Sequence, residues 1–205
     1  FCITGKIHDA EKNFDKGLSI STEDHFEALL NIAIAFENAR QYRHAIKYLE
    51  QAHEISPDYL SVIYDLGYFN ERLDNFTKSV EYYQEYLDRD PFSENVWYNL
   101  GVAYYKLDQP EKAIEAYDYS LALNPDYASA FFNKANTYGS MADYPNAIET
   151  IAEFLEIEPE NSQALSFLAD CYEQSGQYKK ALETYKKVIE LDNTDGEGWF
   201  GAGMV

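Results

Sequence analysis

The chain has 205 residues, of which 46% are apolar and 25% are charged, and its formal net charge is −20. The apolar content excludes a disordered chain, and the acidic excess argues against a nucleic-acid partner because phosphate groups would repel it. No apolar stretch is long enough for membrane insertion, and Cys2 and Cys171 are too far apart in sequence for a disulfide scaffold or a thiolate zinc site.

A repeat of 34 residues accounts for the rest of the composition, including its nineteen tyrosines. Prolines recur at this step at Pro57, Pro91, Pro125 and Pro159, and Asn193 can serve the same turn one step later. Two columns of small residues keep the step: Ala45, Ser79, Ala113, Ala147 and Ala181, and Ala33, Gly67, Gly101, Ala135, Ala169 and Gly203. A third column of large residues contains Leu49, Tyr83, Tyr117, Ile151 and Tyr185. A repeat of this length is typical of a stacked array.

Each repeat predicts two antiparallel helices. In the third full copy, positions 97, 100, 101 and 104 share one helical face, and positions 113, 117, 120 and 121 share the face of a second helix. Pro110 and Pro145 suit the first turn of a second helix, where a missing N–H costs nothing. In chain order, we predict one array over 1–205: a half repeat at 1–25, full repeats at 26–59, 60–93, 94–127, 128–161 and 162–195, and a truncated repeat at 196–205.

The best-preserved copy resembles the tetratricopeptide repeat (TPR) family. It carries that family's signature in order, as Trp97, Leu100, Gly101, Tyr104, Ala113, Tyr117 and Pro125. The resemblance covers nearly the whole chain. It implies an all-α fold, a right-handed α-solenoid superhelix of stacked antiparallel helix hairpins, with the first helices lining a concave groove.

Signals for catalysis are absent from the sequence. The four histidines, His8, His25, His44 and His53, have no spacing typical of metal ligands, and no phosphate-binding loop or nucleophile motif occurs. Cys171 lies in a predicted first helix, where we expect a small buried thiol rather than a nucleophile. We therefore predict no enzyme activity, no cofactor and no metal site.

A peptide-binding groove is the favoured functional prediction. Asn31, Asp65, Asn99 and Asn133 recur at the 34-residue step, and an asparagine row can pair with the peptide groups of an extended chain. Such a ladder is similar to the one in TPR proteins that bind extended polypeptides. The predicted groove residues are Asn31, Ile34, Tyr64, Asp65, Tyr68, Tyr98, Asn99, Val102, Tyr105, Phe132, Asn133, Asn136 and Asp170. The alternative is that these residues only pack one repeat against the next.

One subtype of the family is disfavoured by the residues present. TPR modules that grip the C-terminal carboxylate of heat-shock chaperones carry lysine and asparagine at set groove positions. Here Phe132 stands in place of the lysine and Phe167 in place of the second asparagine. We therefore do not expect a chaperone-tail clamp.

The acidic charge predicts a basic or neutral ligand segment. Glu37, Glu71 and Glu173 share one repeat position at the predicted edge of the groove, and their field would steer a cation. The alternative is that the excess carboxylates keep an extended array soluble. Two residues depart from the repeat pattern. We expect Asn70 to form a local polar bridge and Lys134 to extend its ammonium to water.

Three functions remain open from the sequence. The first is a protein-interaction scaffold that holds an extended peptide or partner surface, the second a substrate-recruiting region of a larger enzyme, and the third a subunit of a secretion or envelope-assembly machine. The chain begins at Phe1 without Met, and apolar residues at both ends lack a polar capping element. We therefore expect a fragment of a longer protein that self-associates end to end or frays at its termini.

Overall fold

The computed structural model describes residues 7–20, 25–191 and 196–205, and every regular element in them is an α-helix. Two compact units, residues 1–107 and 108–205, are described in turn. Unit 1 contains α1 (Ile7–Ile20), α2 (His25–Asn38), α3 (Tyr42–Ile55), α4 (Leu60–Arg72), α5 (Phe76–Leu87) and α6 (Glu94–Lys106). Unit 2 contains α7 (Pro110–Leu123), α8 (Ala128–Ser140), α9 (Tyr144–Ile157), α10 (Ser162–Gln174), α11 (Tyr178–Leu191) and α12 (Gly196–Met204). The predicted all-α class is confirmed.

The helices pair into hairpins because each buries one apolar stripe against its neighbour. In unit 1, α2 packs on α3 and α4 on α5, and the hairpins then stack through α3 with α4 and α5 with α6. In unit 2, α8 packs on α9 and α10 on α11, with α7 against α8 and α9 against α10. Part of the predicted half repeat, Cys2 and Asn193 lie outside the described residues.

The small-residue columns allow the close approach of the helices. The residues at positions 45, 79, 113, 147 and 181 all have an exposed fraction of 0%. Gly67 is also buried, and a Cβ added there would lie 2.6 Å from a ring carbon of Tyr83. Gly203 differs, since it is exposed and an added Cβ would meet nothing within 4 Å. A small residue in this column is therefore needed for packing only in repeats where a neighbouring helix covers the position.

A left-handed residue ends the first helix of each full repeat. The residues with positive φ are Arg40 (54°), Asp74 (59°), Asp108 (57°), Ala142 (57°) and Gly176 (76°), at the 34-residue step. At Ala142 the following N–H, of Asp143, bonds to the carbonyl of Tyr138 at 3.0 Å. This satisfies a carbonyl that the helix end leaves without a partner. Glycine is favoured at such a φ, yet only Gly176 supplies it.

The connections between hairpins carry the repeated prolines. Pro57, Pro125 and Pro159 lie in short turns after the second helices α3, α7 and α9. The connection at 88–93 is longer because α5 has 12 residues where the other second helices have 14. Phe92 in this connection is 77% exposed.

Two polar residues stand where the repeat pattern calls for large apolar or aromatic ones. Asn70 is buried, donates a 2.8 Å bond to the Leu66 carbonyl and accepts a 3.4 Å bond from Asn75. It is therefore the expected local polar bridge. Lys134 differs from the expectation, because its ammonium is paired with Asp118 Oδ1 at 2.6 Å and its side chain is only 17% exposed. The ion pair holds the ammonium against α7 instead of in open water.

Candidate peptide-binding surfaces

In unit 1, the predicted groove residues lie on the first helices α2, α4 and α6. Asn31 and Ile34 on α2 are exposed, and Ile34 presents 51% of its surface. The predicted residues of α4 are half-buried, and α6 carries three half-buried residues and one exposed residue. In order they are Tyr64, Asp65, Tyr68, Tyr98, Asn99, Val102 and Tyr105. Except for Tyr105, which lies at i+7, these residues belong to the i, i+1, i+4 set, whose spacing predicts that they point away from the buried stripe of their helix.

Tyr64 is the centre of the unit 1 surface, by which we mean Tyr64, Asp65, Tyr68, Tyr98 and Asn99. Its ring is parallel to that of Tyr68 within 3°, with centroids 6.3 Å apart, and its hydroxyl accepts a 3.3 Å bond from Asn99 Nδ2. Burial is the main cause that raises the pKa of Tyr64. The hydroxyl is therefore a neutral group that links α4 to α6.

Asn99 shows that part of the predicted ladder takes part in packing. One of its two amide hydrogens is directed to Tyr64 of the preceding hairpin. An asparagine side chain has a second N–H and a carbonyl oxygen, and no hydrogen bond to these groups is formed by the described residues. Asn99 thus bridges two hairpins and still has polar groups for a ligand.

Asp65 occupies an unfavourable position for a carboxylate. It is half-buried beside Tyr64, and no hydrogen bond or ion pair to its side chain is present among the described residues. Burial, and then the nearby charge of Glu37, raise the pKa of Asp65 from 3.8 to about 6. Above that pH the surface holds a charge that is partly desolvated and unpaired.

Glu71 and Glu173, predicted at the groove edge, each accept a hydrogen bond from a tyrosine of a second helix. Tyr83 on α5 donates a 3.0 Å bond to Glu71, and Tyr185 on α11 donates a 3.0 Å bond to Glu173. The sequence contained the signal, since each tyrosine follows its glutamate by 12 residues. Glu37 differs because Leu49 stands at the corresponding position, and Glu37 is exposed.

In unit 2, the predicted residues of α8 have more apolar surroundings than those of unit 1. The Phe132 ring lies 5.5 Å from that of Phe154 and 6.5 Å from that of Phe167, so it belongs partly to the core. Asn136 donates a 2.9 Å bond to the Phe132 carbonyl of its own helix. Asn133 is half-buried on the same helix.

Asp170 on α10 is exposed but already has a partner in the fold. Its Oδ1 accepts a 2.6 Å bond from the Tyr185 hydroxyl, which also reaches Glu173. One tyrosine therefore joins two carboxylates of α10 to α11. Sequence spacing alone did not show this pairing, because Asp170 precedes the tyrosine by 15 residues rather than 12.

No group of three or more His, Cys, Asp or Glu residues in the described ranges is arranged to hold a metal ion. None of the helices there has the length and apolar character to cross a bilayer. Cys171 is buried, and burial followed by the charge of Asp170 raises its pKa to about 11. The thiol therefore stays protonated at neutral pH, which disfavours a nucleophilic role.

Three models of the tetratricopeptide repeat match the chain, at residues 30–94, 94–127 and 140–200. Together they span most of its length, in agreement with the helix pairs and the buried small-residue columns. The chain belongs to the tetratricopeptide repeat family. No curated protein matches it.

Solved structures share this fold at low sequence identity. A crystal structure of MamA protein is 22% identical, with a TM-score of 0.79, over 84% of this chain and 94% of that chain. The crystal structure of YrrB, described as a TPR protein with an unusual peptide-binding site, is 19% identical, with a TM-score of 0.77, over 94% and 98%. A tetratricopeptide repeat protein from Parabacteroides merdae is 19% identical, with a TM-score of 0.79, over 88% and 72%.

Proposed function

We propose that the chain is a protein-interaction scaffold and that the first helices of its hairpins bind an extended polypeptide segment. The observation that carries this proposal is the unit 1 surface. Tyr64 and Asn99 join α4 to α6 there, and both side chains are half-buried, so their ring and amide groups are partly exposed. An extended segment offers peptide N–H and C=O groups at regular intervals. An asparagine amide can accept a hydrogen bond from the N–H and donate one to the C=O.

Exposed apolar groups beside these amides provide contacts for the side chains of the segment. Ile34 is 51% exposed on α2, and Tyr105 is 38% exposed on α6. In unit 2, the half-buried Phe132 and Asn133 repeat the combination of ring and amide on α8. A peptide-binding site is named for YrrB, which shares this fold, and this supports a peptide as the ligand here.

The proposal is tested by selecting peptides from a random library displayed on phage against the 205-residue chain. The affinity of a selected peptide is then measured by titration calorimetry for Asn31→Ala and Asn99→Ala, two predicted ladder residues of unit 1. We expect each substitution to weaken binding by about 3- to 10-fold, the worth of one or two hydrogen bonds at an interface.

The control removes an exposed charged side chain from a second helix. Gln84→Ala is unsuitable because Gln84 bonds to Tyr104, so the control is Lys187→Ala, an exposed residue of α11. Unchanged affinity in Lys187→Ala together with weakened affinity in the asparagine variants supports the proposal. Equal affinity in all of these variants, or the absence of any selected peptide, contradicts it.

A further inference from the structure

The Asp65 site on α4 combines two features that call for a cation. Its carboxylate is half-buried without a hydrogen-bond donor among the described residues, and burying an unpaired charge is costly. The rings of Tyr64 and Tyr68 flank it at the positions i−1 and i+3, parallel within 3°. Tyrosine faces attract ammonium and guanidinium groups because the ring quadrupole is negative there.

Elsewhere in the chain, a lysine lies beside two comparable combinations of a tyrosine ring and an aspartate. Lys47 Nζ lies 5.0 Å from the centroid of the Tyr48 ring and bonds to Asp15 at 3.1 Å. Lys134 Nζ lies 5.9 Å from the centroid of the Tyr138 ring and pairs with Asp118 at 2.6 Å. In both places a lysine joins a tyrosine face to an aspartate. At Asp65 the two tyrosine faces and the aspartate are present, and no cation from the described residues contacts them.

Charge around the site favours a cation from outside the chain. The first helices of unit 1 carry five carboxylates: Glu27, Glu37, Asp65, Glu71 and Glu94. Their basic residues are Arg72 and Lys106, both in last turns, and His25 at the start of α2. The charge of Glu37 acts on Asp65 directly. A positive group between these carboxylates would remove their repulsion, and a long-range field of this sign raises the local concentration of cations.

We propose that the unit 1 surface binds a lysine or arginine side chain of the partner polypeptide, with its charged group against the Tyr64 and Tyr68 rings and paired with the Asp65 carboxylate. This inference rests on the proposed function and adds the chemistry of one ligand residue. The aliphatic stem of that residue would lie along the half-buried tyrosine rings, as lysine stems do on apolar surfaces.

The experiment uses fluorescein-labelled synthetic peptides of equal length and backbone, in which alternate residues are lysine, arginine, norleucine or glutamate. Their affinities for the 205-residue chain are measured by fluorescence anisotropy at physiological salt, so that unspecific charge effects are screened. We expect the lysine or arginine peptide to bind more tightly than the norleucine and glutamate peptides. Asp65→Asn should lower the affinity for the cationic peptide by about 5-fold or more, and Tyr68→Leu should lower it by about 3-fold.

The matched control is Asp126→Asn, which removes the same charge from an exposed turn of unit 2. It should leave the affinity of the cationic peptide unchanged. Equal losses in Asp65→Asn and Asp126→Asn, or equal binding of the norleucine and lysine peptides, overturn the inference and leave the peptide-binding function standing. Failure of all four peptides to bind contradicts both.

Discussion

The Tyr83 hydroxyl lies 3.0 Å from Glu71 Oε2, so a tyrosine of α5 holds a half-buried carboxylate of α4 in the same hairpin. Burial raises the pKa of Glu71, and the hydrogen bond from Tyr83 opposes that rise. The pair therefore links the two helices, and its contribution to stability depends on the Tyr83 hydroxyl as hydrogen-bond donor. Tyr185 and Glu173 repeat it in unit 2.

Removal of this donor is expected to destabilise the hairpin. Tyr83→Phe keeps the buried ring but leaves the carboxylate of Glu71 without its tyrosine donor, at a cost of about 1–2 kcal/mol in the free energy of unfolding. Urea denaturation followed by circular dichroism measures this difference. Tyr178→Phe is the control, because Tyr178 is 59% exposed, and it should change stability little. Equal stability of wild type and Tyr83→Phe would show that the bond contributes nothing.

Two glycine substitutions should act in opposite directions. Gly67→Ala places a Cβ 2.6 Å from a ring carbon of the fully buried Tyr83, so we expect a loss of about 1–3 kcal/mol from overpacking. In Gly17→Ala the new Cβ meets nothing within 4 Å in the last turn of α1, and better helix propensity should add up to about 1 kcal/mol. Thermal unfolding of both variants is the measurement. A Gly67→Ala variant as stable as wild type, or more stable, would contradict the packing explanation.

Substitutions at two of the left-handed turn residues should also change stability in opposite directions. Ala142→Gly removes the steric cost of a side chain at φ 57° and should stabilise the chain by about 1 kcal/mol. Gly176→Ala introduces that cost at φ 76°, where no neighbour lies within 4 Å of the added Cβ, and should destabilise by a similar amount. Chemical denaturation midpoints give both values. A destabilised Ala142→Gly would mean that the freedom glycine adds to the unfolded chain exceeds the strain it relieves.

Asp65 predicts a pH dependence of stability. Its pKa in the folded chain, about 6, lies above the ordinary value of 3.8, so folding favours its protonated form. The stabilising contribution is complete below pH 3.8 and is lost as the pH rises through 6. Asp65→Asn should therefore unfold with a free energy about 1–2 kcal/mol higher than wild type at neutral pH, and the difference should vanish near pH 4.

Denaturation of both proteins across this pH range measures the effect. The other titratable groups are the same in both proteins, so their contribution cancels in the difference. Asp126→Asn, at an exposed position, is the control and should change stability little. A constant difference between wild type and Asp65→Asn would contradict the raised pKa.

The fold was predictable from the sequence because its packing positions repeat. Ala45 and Ala113 could be assigned to helix contacts from their column alone, and both are fully buried. The left-handed turns were not predicted, since Arg40 and Ala142 are unusual residues at positive φ. At these positions the tertiary contacts of two packed helices outweigh the local preference of the residue.

The candidate surface was only partly predictable. Repeat position placed Tyr64 and Asn99 on first helices, but the bond between them depends on how neighbouring hairpins pack. The tyrosine bonds of Glu71 and Asp170 were not predicted for the same reason, because each tyrosine lies on a second helix. A helical-face argument assigns a direction to a side chain and does not identify its partner on another helix.

The short α5 has a consequence for limited proteolysis. Exposed connections are preferred sites of cleavage, and the connection at 88–93 is both long and marked by the 77% exposed Phe92. A cut there would leave Tyr64 on one side and Asn99 on the other, so the two residues that join the hairpins would remain together only through noncovalent contacts. A protease that nicks this connection would thereby convert the intact surface into two fragments that must reassociate to form it.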